Sequence, residues 1–228
     1  MQQFNSERSA TLKLISKAKV LCLSLILTLG LFIQAGAQNF IVNNNGDTHA
    51  VNAAASPLDA SGNITLRSAV EAATAQAGPH IITFGAGITT INLSLGSMNL
   101  GSATSSNITI NGPGMNVLTV NQTTAARAFT TTTQPNFNFT LQDLTVNYAG
   151  PANTAGTLPG SFSGGGGALL AGGTGAVTTL NNVKVTNWRN QSGNGGAVAV
   201  TFSSLSHNFT MTGCVFDNNM ADGSVKLL

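Results

Sequence analysis

The chain is poor in charged residues: Asp, Glu, Lys and Arg together make up 7% of its 228 residues. In an average soluble protein about a quarter of the residues are charged. Here Gly, Asn, Thr and Ser take the polar positions instead. Short apolar stretches recur between them, and disordered chains lack such regular apolar stretches. The composition therefore favours a β-rich fold over both a helical protein and a disordered one.

Cysteine is almost absent. The two cysteines are Cys22 and Cys214, and Cys22 lies in an N-terminal segment that we expect to be removed. One remaining cysteine cannot form an internal disulfide. Cys214 takes a position that Leu144 and Val183 hold in two related segments. We expect it to be a small buried core residue, with a reactive thiol as the alternative.

The N-terminal segment over residues 1–37 has the organisation of a leader. Four cations precede an apolar run over residues 20–33, and Ala35, Gly36 and Ala37 follow the run. This order is typical of a secretory signal peptide. A membrane anchor is the alternative, but the run is shorter than the roughly 20 residues that span a bilayer. We expect cleavage after residue 37.

Removal of the leader changes the net charge. Residues 38–228 keep five cations and six anions, a net charge of −1 (5 − 6). The cations are Arg67, Arg127, Lys184, Arg189 and Lys226, and the anions are Asp47, Asp59, Glu71, Asp143, Asp217 and Asp222. No basic patch is left that would bind nucleic acid. We therefore expect no nucleic-acid partner, and no transmembrane span once the leader has been cleaved.

One segment has the spacing of an amphipathic helix. From Leu66 to Ala73, apolar residues recur at i, i+3, i+4 and i+7, and Thr65 is a suitable N-cap. This pattern predicts a helix over residues 66–75. We expect residues 38–79, a strand and this helix, to cover one end of a stack of strands, with Leu66, Arg67 and Val70 as the cap residues.

Three segments repeat one short strand pattern, and in the first two a corner of two polar residues (142–143 and 181–182) separates one predicted strand from the next. Residues 180–187 and 211–218 align at an offset of 31 (211 − 180), and residues 141–147 precede the first by 39 (180 − 141). Repeats at 20 to 50 residues indicate a solenoid, and a two-sheet sandwich is the alternative. We expect equivalent residues to stack in the interior: Leu141, Leu180 and Met211; Leu144, Val183 and Cys214; Val146, Val185 and Phe216.

Glycine pairs recur before two of the predicted strands, as Gly-Gly-Ala-Leu over residues 166–169 and Gly-Gly-Ala-Val over residues 195–198. A phosphate-binding loop would need a following helix and usually a lysine, whereas a strand pattern follows here. We expect these glycines at tight corners where neighbouring backbones approach closely: Gly166, Gly167, Gly195 and Gly196.

Together with Phe-Asp-Asn-Asn at 216–219, the Gly-Gly-Ala runs resemble the GGA[ILV] and FxxN repeats of polymorphic outer-membrane proteins. Residues 64–70 (ITLRSAV) resemble the CSLREA box of bacterial secreted β-helix proteins, and residues 108–114 (ITINGPG) resemble that family's I-x-I-x-G-x-G turn. Ile64 replaces the cysteine of the box, so a disulfide that pins the cap in relatives is absent. The resemblance implies an all-β fold, a right-handed parallel β-helix over residues 80–228 with one short N-terminal capping helix.

The repeat pattern also bears on the C-terminal end. The pattern predicts another Gly-Gly-Ala within about ten residues after Asn219. Residues 220–228 contain none. The sequence is thus typical of a truncated member, and we expect relatives to carry further coils.

The resemblance implies a secreted or cell-surface protein, associated with the outer membrane in a Gram-negative host. We expect a non-catalytic, structural or adhesin-like module that offers an extended surface to a protein or glycan of a host or neighbouring cell. The alternative is an enzyme similar to polysaccharide lyases or glycoside hydrolases. A glycosidase needs two carboxylates that flank one bond. The sequence predicts Asp143 and Asp217 at related corners that are about two strand spacings apart, roughly 10 Å. We assign no catalytic residue.

The candidate contact residues are Tyr148, Trp188 and Arg189, which follow strand segments. An exposed Trp beside an Arg could stack on a sugar or contact a protein, and a Trp packed under its own loop is the alternative. The histidines lack the spacing of metal ligands, so we expect neither metal nor cofactor: His49, His80 and His207. Three asparagines recur at one corner and are expected to form a hydrogen-bonded ladder: Asn147, Asn187 and Asn218.

Overall fold

The structure is a computed structural model that describes residues 37–101, 105–131, 135–150, 167–190, 196–201 and 207–221. The chain separates between Ala35 and Gly36 into two compact units, and all described residues belong to the second. The expected leader over residues 1–37 lies outside the described residues except for its last position.

Strands make up most of the described regular structure, and they pair in parallel throughout. One helix, α1 (Leu66–Ala75), lies between the first two strands. The strands are β1 (Gln38–Val42), β2 (Gly78–Phe84), β3 (Thr90–Leu93), β4 (Met98–Asn99), β5 (Ser105–Asn111), β6 (Thr119–Gln122), β7 (Phe129–Thr130), β8 (Asn138–Tyr148), β9 (Leu169–Gly172), β10 (Val177–Thr186), β11 (Arg189–Asn190), β12 (Val198–Thr201), β13 (Asn208–Thr212), β14 (Val215–Asp217) and β15 (Met220–Ala221). The all-β prediction with a single helix is confirmed at this level.

The strands form three sheets. The largest runs β1-β2-β5-β8-β10-β13, and in addition β3 pairs with β6, β6 with β8, and β14 with β10. A second sheet has the order β12-β9-β7-β4, and β11 pairs with β15 in the third. Strands that are neighbours in a sheet are thus separated along the chain, which parallel pairing requires.

The expected stacking of equivalent residues is present in the register. Leu180 lies between Leu141 and Met211, and the same β8-β10-β14 register places Val146, Val185 and Phe216 in line. Parallel pairing without a shift repeats the same side-chain position on each strand. It therefore keeps the apolar side chains of successive strands in one column.

The burial of these columns differs from the prediction at one end. Leu141 and Leu180 are 2% and 1% exposed, whereas Met211 and Phe216 are 50% and 43% exposed. Cys214 packs against the core but is only partly buried. The expectation that these three residues are interior was wrong. The reason is that β13 and β14 pair with β10 on one side and with no described strand on the other.

The two predicted corners lie within β8 and β10. Asp143 has φ 57° and Asn182 has φ 52°, so each strand bends in the left-handed region and then resumes its alternation. Asp and Asn tolerate this region better than other non-glycine residues. The sequence predicted two strands separated by a corner, and the structure joins them into one bent strand.

Glycine is required where neighbouring backbones meet. A Cβ atom on Gly167 would lie 2.5 Å from the carbonyl oxygen of Gly196 and 2.6 Å from a ring carbon of Trp188. A Cβ atom on Gly196 would collide with the carbonyl oxygen of Met220. These contacts agree with the expected close approach, while Gly166 and Gly195 lie outside the described residues.

Helix α1 begins with the predicted N-cap. The Thr65 hydroxyl accepts a hydrogen bond from the Ser68 backbone N–H, and the Thr65 N–H donates to the Ser68 hydroxyl. This reciprocal capping box fixes the first turn. The apolar face, including Leu66 and Val70, is buried against the first strands, and the helix contacts β1, β2, β4 and β5.

A buried ion pair joins α1 to the turn after β3. Arg67 Nε donates to Asp47 Oδ1 at 2.6 Å and its Nη2 donates to Asp47 Oδ2 at 3.2 Å, with both side chains at most 5% exposed. The guanidinium also donates to the carbonyl oxygen of Gly96 at 2.8 Å. The Asp47 carboxylate in turn accepts from the backbone N–H groups of Ser94 and Leu95. The pair therefore holds the 94–97 turn beneath the helix.

Replacement of Arg67 by alanine should unfold the cap, because it leaves the Asp47 carboxylate buried without a counter-charge. Breaking a buried pair in this way costs about 3–5 kcal/mol, measured as the loss in free energy of unfolding in urea. The control is His49→Ala. It breaks the contact between His49 and Glu71, in which the imidazole is 63% exposed, and should cost about 0–1 kcal/mol. Equal losses for the two variants would contradict the assigned role of Arg67.

Asp59 organises the segment between β1 and α1. Its carboxylate accepts hydrogen bonds from the backbone N–H groups of Asn63 and Ser61 and from the Thr48 hydroxyl, at 2.7–2.8 Å. The bond from the Asn63 backbone N–H, followed by that from Thr48, lowers the pKa of Asp59 below its ordinary value. These bonds favour the charged form of the carboxyl.

Because the pKa of Asp59 is lower in the folded state, its contribution to stability is complete above the ordinary aspartate pKa of about 3.9. It is lost as the pH falls through the lowered pKa. Asp59→Asn should therefore lose less stability than the wild type between pH 5 and pH 2, measured by urea denaturation at each pH. If Asp59→Asn loses as much stability as the wild type between pH 5 and pH 2, Asp59 does not contribute to the acid sensitivity of the fold.

Candidate binding surface

A loop over residues 112–118 lies on the outer face of the largest sheet. It follows β5 and begins beside Asp143, the residue at which β8 bends. Gly112 donates its N–H to the Gln142 carbonyl oxygen at 2.9 Å, and a Cβ atom there would collide with the carbonyl oxygen of Asp143. Gly114 has φ 147°, a conformation that side chains other than glycine rarely adopt. The Gly-Pro-Gly turn identified in the sequence thus lets the chain leave the sheet against a neighbouring backbone.

Two hydrogen bonds from Thr145 hold the 112–118 loop against the sheet. The Thr145 hydroxyl donates to the Met115 carbonyl oxygen at 2.7 Å, and the Thr145 N–H donates to the Leu118 carbonyl oxygen at 2.8 Å. Thr145 is consequently 8% exposed although it lies on the outer face. The loop therefore forms a fixed wall on that face.

Beside this wall lies an open groove of about 350 Å³. Its floor comes from neighbouring strands in register, with Thr119 on β6 beside Thr145 on β8 and Thr145 beside Lys184 on β10. The groove is lined by three threonines, two asparagines, one lysine and one methionine: Met115, Asn116, Thr119, Thr145, Asn147, Lys184 and Thr186. The Lys184 ammonium lies 3.4 Å from the Asp217 carboxylate, and both side chains are partly exposed. These groups can bind a polar ligand through hydrogen bonds and one positive charge.

A ladder of asparagine amides borders the groove. Each Nδ2 donates to the Oδ1 of the asparagine on the preceding strand, at 2.6–2.9 Å, along the series Asn92, Asn121, Asn147, Asn187 and Asn218. The sequence predicted the last three members. The first two were missed, although Ile91-Asn92 and Val120-Asn121 share the apolar-Asn pair of Val146-Asn147. The ladder spans four strand spacings, roughly 19 Å.

The structure buries Trp188 and half-buries Tyr148, two of the three predicted contact residues. Trp188 is 1% exposed, its Nε1 donates to the Val146 carbonyl oxygen at 3.4 Å, and its ring lies 5.3 Å from that of Tyr148. Tyr148 is half-buried, and burial raises the pKa of its phenol. The expectation that Trp188 is an exposed platform was wrong, and the packed alternative applies, because Gly167 leaves room for the indole. Arg189 begins β11, and its side chain lies outside the description.

The two carboxylates weighed for catalysis do not share a site. Asp143 lies at the bend of β8 and accepts a hydrogen bond from Asn182 Nδ2 at 2.6 Å. Asp217 lies beside Thr186 in the register, further along the strand direction, and pairs with Lys184. The sequence placed them at related corners, which was wrong, because the corner equivalent to Asp143 in the last strand pair is Gly213, with φ 63°.

A second cavity, of about 260 Å³, lies between α1 and the turn after β3. His49 and Glu71 are in contact at its rim, 2.5 Å apart, and the Arg67 guanidinium forms part of its wall. Within the described ranges, no three His, Cys, Asp or Glu side chains are grouped as metal ligands would be. Each of these side chains already has a partner in the cap, since His49 contacts Glu71 and Arg67 pairs with Asp47.

Comparisons with protein-family models, with curated proteins and with solved structures found no match to the chain. The resemblance to polymorphic outer-membrane proteins and to CSLREA-capped proteins thus rests on the quoted motifs. In the part of the chain that the structure describes, no helix has the length and hydrophobicity to cross a membrane.

Asn187 provides a test of the ladder, because it both accepts from Asn218 and donates to Asn147, with φ 65°. Asn187→Ala should cost about 1–3 kcal/mol in the free energy of unfolding, from two solvent-exposed hydrogen bonds and a left-handed alanine. Asn187→Gly removes the same two hydrogen bonds, but glycine adopts the left-handed backbone conformation readily. The loss in free energy of unfolding should therefore be smaller than for Asn187→Ala. Asn181→Ala, at an exposed position of the same strand, is the control. If Asn187→Gly is as stable as the wild type, the ladder contributes nothing.

Proposed function

We propose that this protein is a secreted or cell-surface right-handed parallel β-helix that acts as a non-catalytic, adhesin-like module. The repeat motifs and the parallel stacking of equivalent residues support the β-helix, and the leader pattern over residues 1–37 supports export. The groove beside the 112–118 loop is the contact site. Its ligand is a glycan of a host or neighbouring cell, and a protein ligand is an outcome of the test below.

The observation that carries this proposal is the composition of the groove wall and floor. Three strands, β6, β8 and β10, and one fixed loop supply hydroxyl, amide and ammonium groups to one open face. Such groups complement the hydroxyl-rich surface of a sugar chain, and parallel strands repeat them at the strand spacing of about 4.8 Å. A repeating face suits a repeating polymer, which it can contact at several equivalent points.

Binding is tested by probing a glycan array with the purified protein and measuring the affinity for any glycan retained. Lys184→Met keeps the aliphatic stem and removes the charge. It should weaken binding by about tenfold or more, since a hydrogen bond from a charged group contributes about 1.5–3 kcal/mol. Met115→Ala removes part of the groove wall and should also weaken binding. Val117→Ala changes an exposed residue of the same loop that does not line the groove, so it should bind as the wild type does.

Three results would decide against the proposal. If the wild type binds proteins but no glycan, and Lys184→Met no longer binds those proteins, the ligand is a protein. Unchanged affinity in Lys184→Met and Met115→Ala would remove the groove as the site. Release of unsaturated or reducing ends from pectin, alginate or a similar polymer, abolished by Asp143→Asn or Asp217→Asn, would establish the enzymatic alternative.

A further inference from the structure

Four neighbouring strands of the largest sheet repeat one outward-facing pattern ahead of the bends in β8 and β10. Thr109 on β5, Thr140 on β8, Thr179 on β10 and Thr210 on β13 are partners in the parallel register. Successive side chains of a strand point to opposite faces, so these threonines lie opposite the buried side chains next to them, such as Leu180. We call this row, together with the outward positions two residues before and after each threonine, the threonine face.

The flanking positions of the threonine face are uncharged. Six of the eight are Asn or Gln, and the other two are Val177 and Thr212. This pattern accounts for the Asn-x-Thr triplets at 107–109, 138–140 and 208–210. The face therefore has neither an aromatic ring that would stack on a sugar nor a charge that would attract an ionic partner.

The hydroxyl groups of the row are open to the outside. Among the described residues, none of the four threonine side chains has a hydrogen-bond partner, and none of their oxygen atoms is buried. By contrast, the Thr145 hydroxyl, beyond the bend in β8, donates to the Met115 carbonyl oxygen. The four hydroxyls of the row therefore hydrogen-bond to the water or the ligand that lies against the sheet.

The row is held rigidly. Threonine is branched at Cβ, which restricts its χ1 angle, and Thr109, Thr140 and Thr179 lie on strands that are paired on both sides. Methyl and hydroxyl groups thus recur at the strand spacing of about 4.8 Å and have little conformational freedom to lose on binding. Such a surface orders the water beside it, because the hydroxyls bond to water and the methyl groups restrict the orientation of the first shell.

The spacing of the row is close to a repeat distance of ice. Each water molecule in ice bonds to four tetrahedral neighbours at roughly 2.75 Å, which places second-neighbour oxygen atoms about 4.5 Å apart. Over the three spacings of the row, the difference from the strand spacing adds up to about 1 Å. This is well below one oxygen–oxygen distance, so all four hydroxyls can take equivalent sites of the lattice at the same time.

We propose that the threonine face binds ice, with its four hydroxyls in the place of water oxygen atoms along one row of the lattice. Ice is uncharged and periodic, and it accepts and donates hydrogen bonds at every site, as the hydroxyls of the row do. The threonine face lies ahead of the bends at Asp143 and Asn182, whereas the strand residues of β8 and β10 that line the groove lie beyond them. Ice binding is therefore independent of the groove and of its ligand.

Incorporation into growing ice is the deciding measurement. The face spans about 14 Å across the strands and about 13 Å along them, which is small, so enrichment in ice is a more sensitive readout than a lowered freezing point. The purified full chain is mixed with an unrelated soluble protein of similar size, and ice is grown slowly from the solution on a cold finger. The wild type should be enriched in the ice fraction relative to the unrelated protein.

Thr140→Lys and Thr179→Lys each place a long charged side chain in the middle of the row. Each should lower the enrichment to that of the unrelated protein while a cooperative thermal melt is retained. Val51→Lys adds the same charge at a residue that is 71% exposed in the cap and should leave the enrichment unchanged. Lys184→Met, which alters the groove, should leave it unchanged too. If a lysine variant unfolds, Thr140→Ser keeps the hydroxyl but loses the methyl group and the stiff χ1, and it should also lower the enrichment.

A wild-type chain that is excluded from ice as strongly as the unrelated protein would overturn the proposal. Equal enrichment of the wild type and of a folded Thr140→Lys variant would overturn it too. Loss of enrichment in Val51→Lys would show that the added charge and not its position matters, with the same consequence. If the chain is not enriched in ice but binds a neutral glycan that Thr140→Lys no longer binds and Lys184→Met still binds, the threonine face binds a polysaccharide instead.

Discussion

In-register parallel pairing is the constraint on which the rest of this structure depends. A parallel pair without a register shift places each side chain beside its equivalent on the next strand. Leucine therefore lies beside leucine from β8 to β10, and asparagine beside asparagine along the ladder. A residue type that is favourable once is favourable at every repeat, which explains how a chain with so few charges obtains both a core and an ordered polar border.

The same constraint makes the ends of the stack different from its middle. An interior strand is covered on both sides, so Leu141 and Val185 are almost fully buried. At one end this cover is supplied by a helix, whose position is fixed by the buried Arg67–Asp47 pair. The other end has no equivalent among the described residues, and the burial of the repeated positions drops there to about half. Burial in such a chain is thus a property of the neighbours and not of the residue type alone.

The sequence was sufficient where local pattern and stacking act together. The helix over 66–75, its Thr65 cap and the Leu141-Leu180-Met211 column followed from spacing alone, because periodicity and register are properties of the sequence. It was insufficient where the outcome depends on what lies next to a residue. Nothing in the sequence around Trp188 shows that Gly167 leaves room for its ring. Nothing around Met211 shows that no described strand pairs with the outer side of β13. The partner of Arg67 is 20 residues away in a segment without periodicity, so the ion pair could not be predicted either.

The candidate site lies beside a loop that has no equivalent on the neighbouring strands. β8 and β10 bend through a single left-handed residue, whereas the equivalent position after β5 carries the 112–118 loop. Residues in the columns cannot vary without a loss of packing on both neighbouring strands, so they are poorly suited to recognise a ligand. The loop has no equivalent to match on the adjacent strands, and it needs only Gly112, where a side chain would collide with the Asp143 carbonyl oxygen, and the bonds to Thr145 to keep its place. Met115 and Asn116 are therefore free to vary while the strands supply a fixed floor. Because the loop can vary and the strands cannot, we expect the loop to determine ligand specificity and the repeating groups of the sheet to provide affinity.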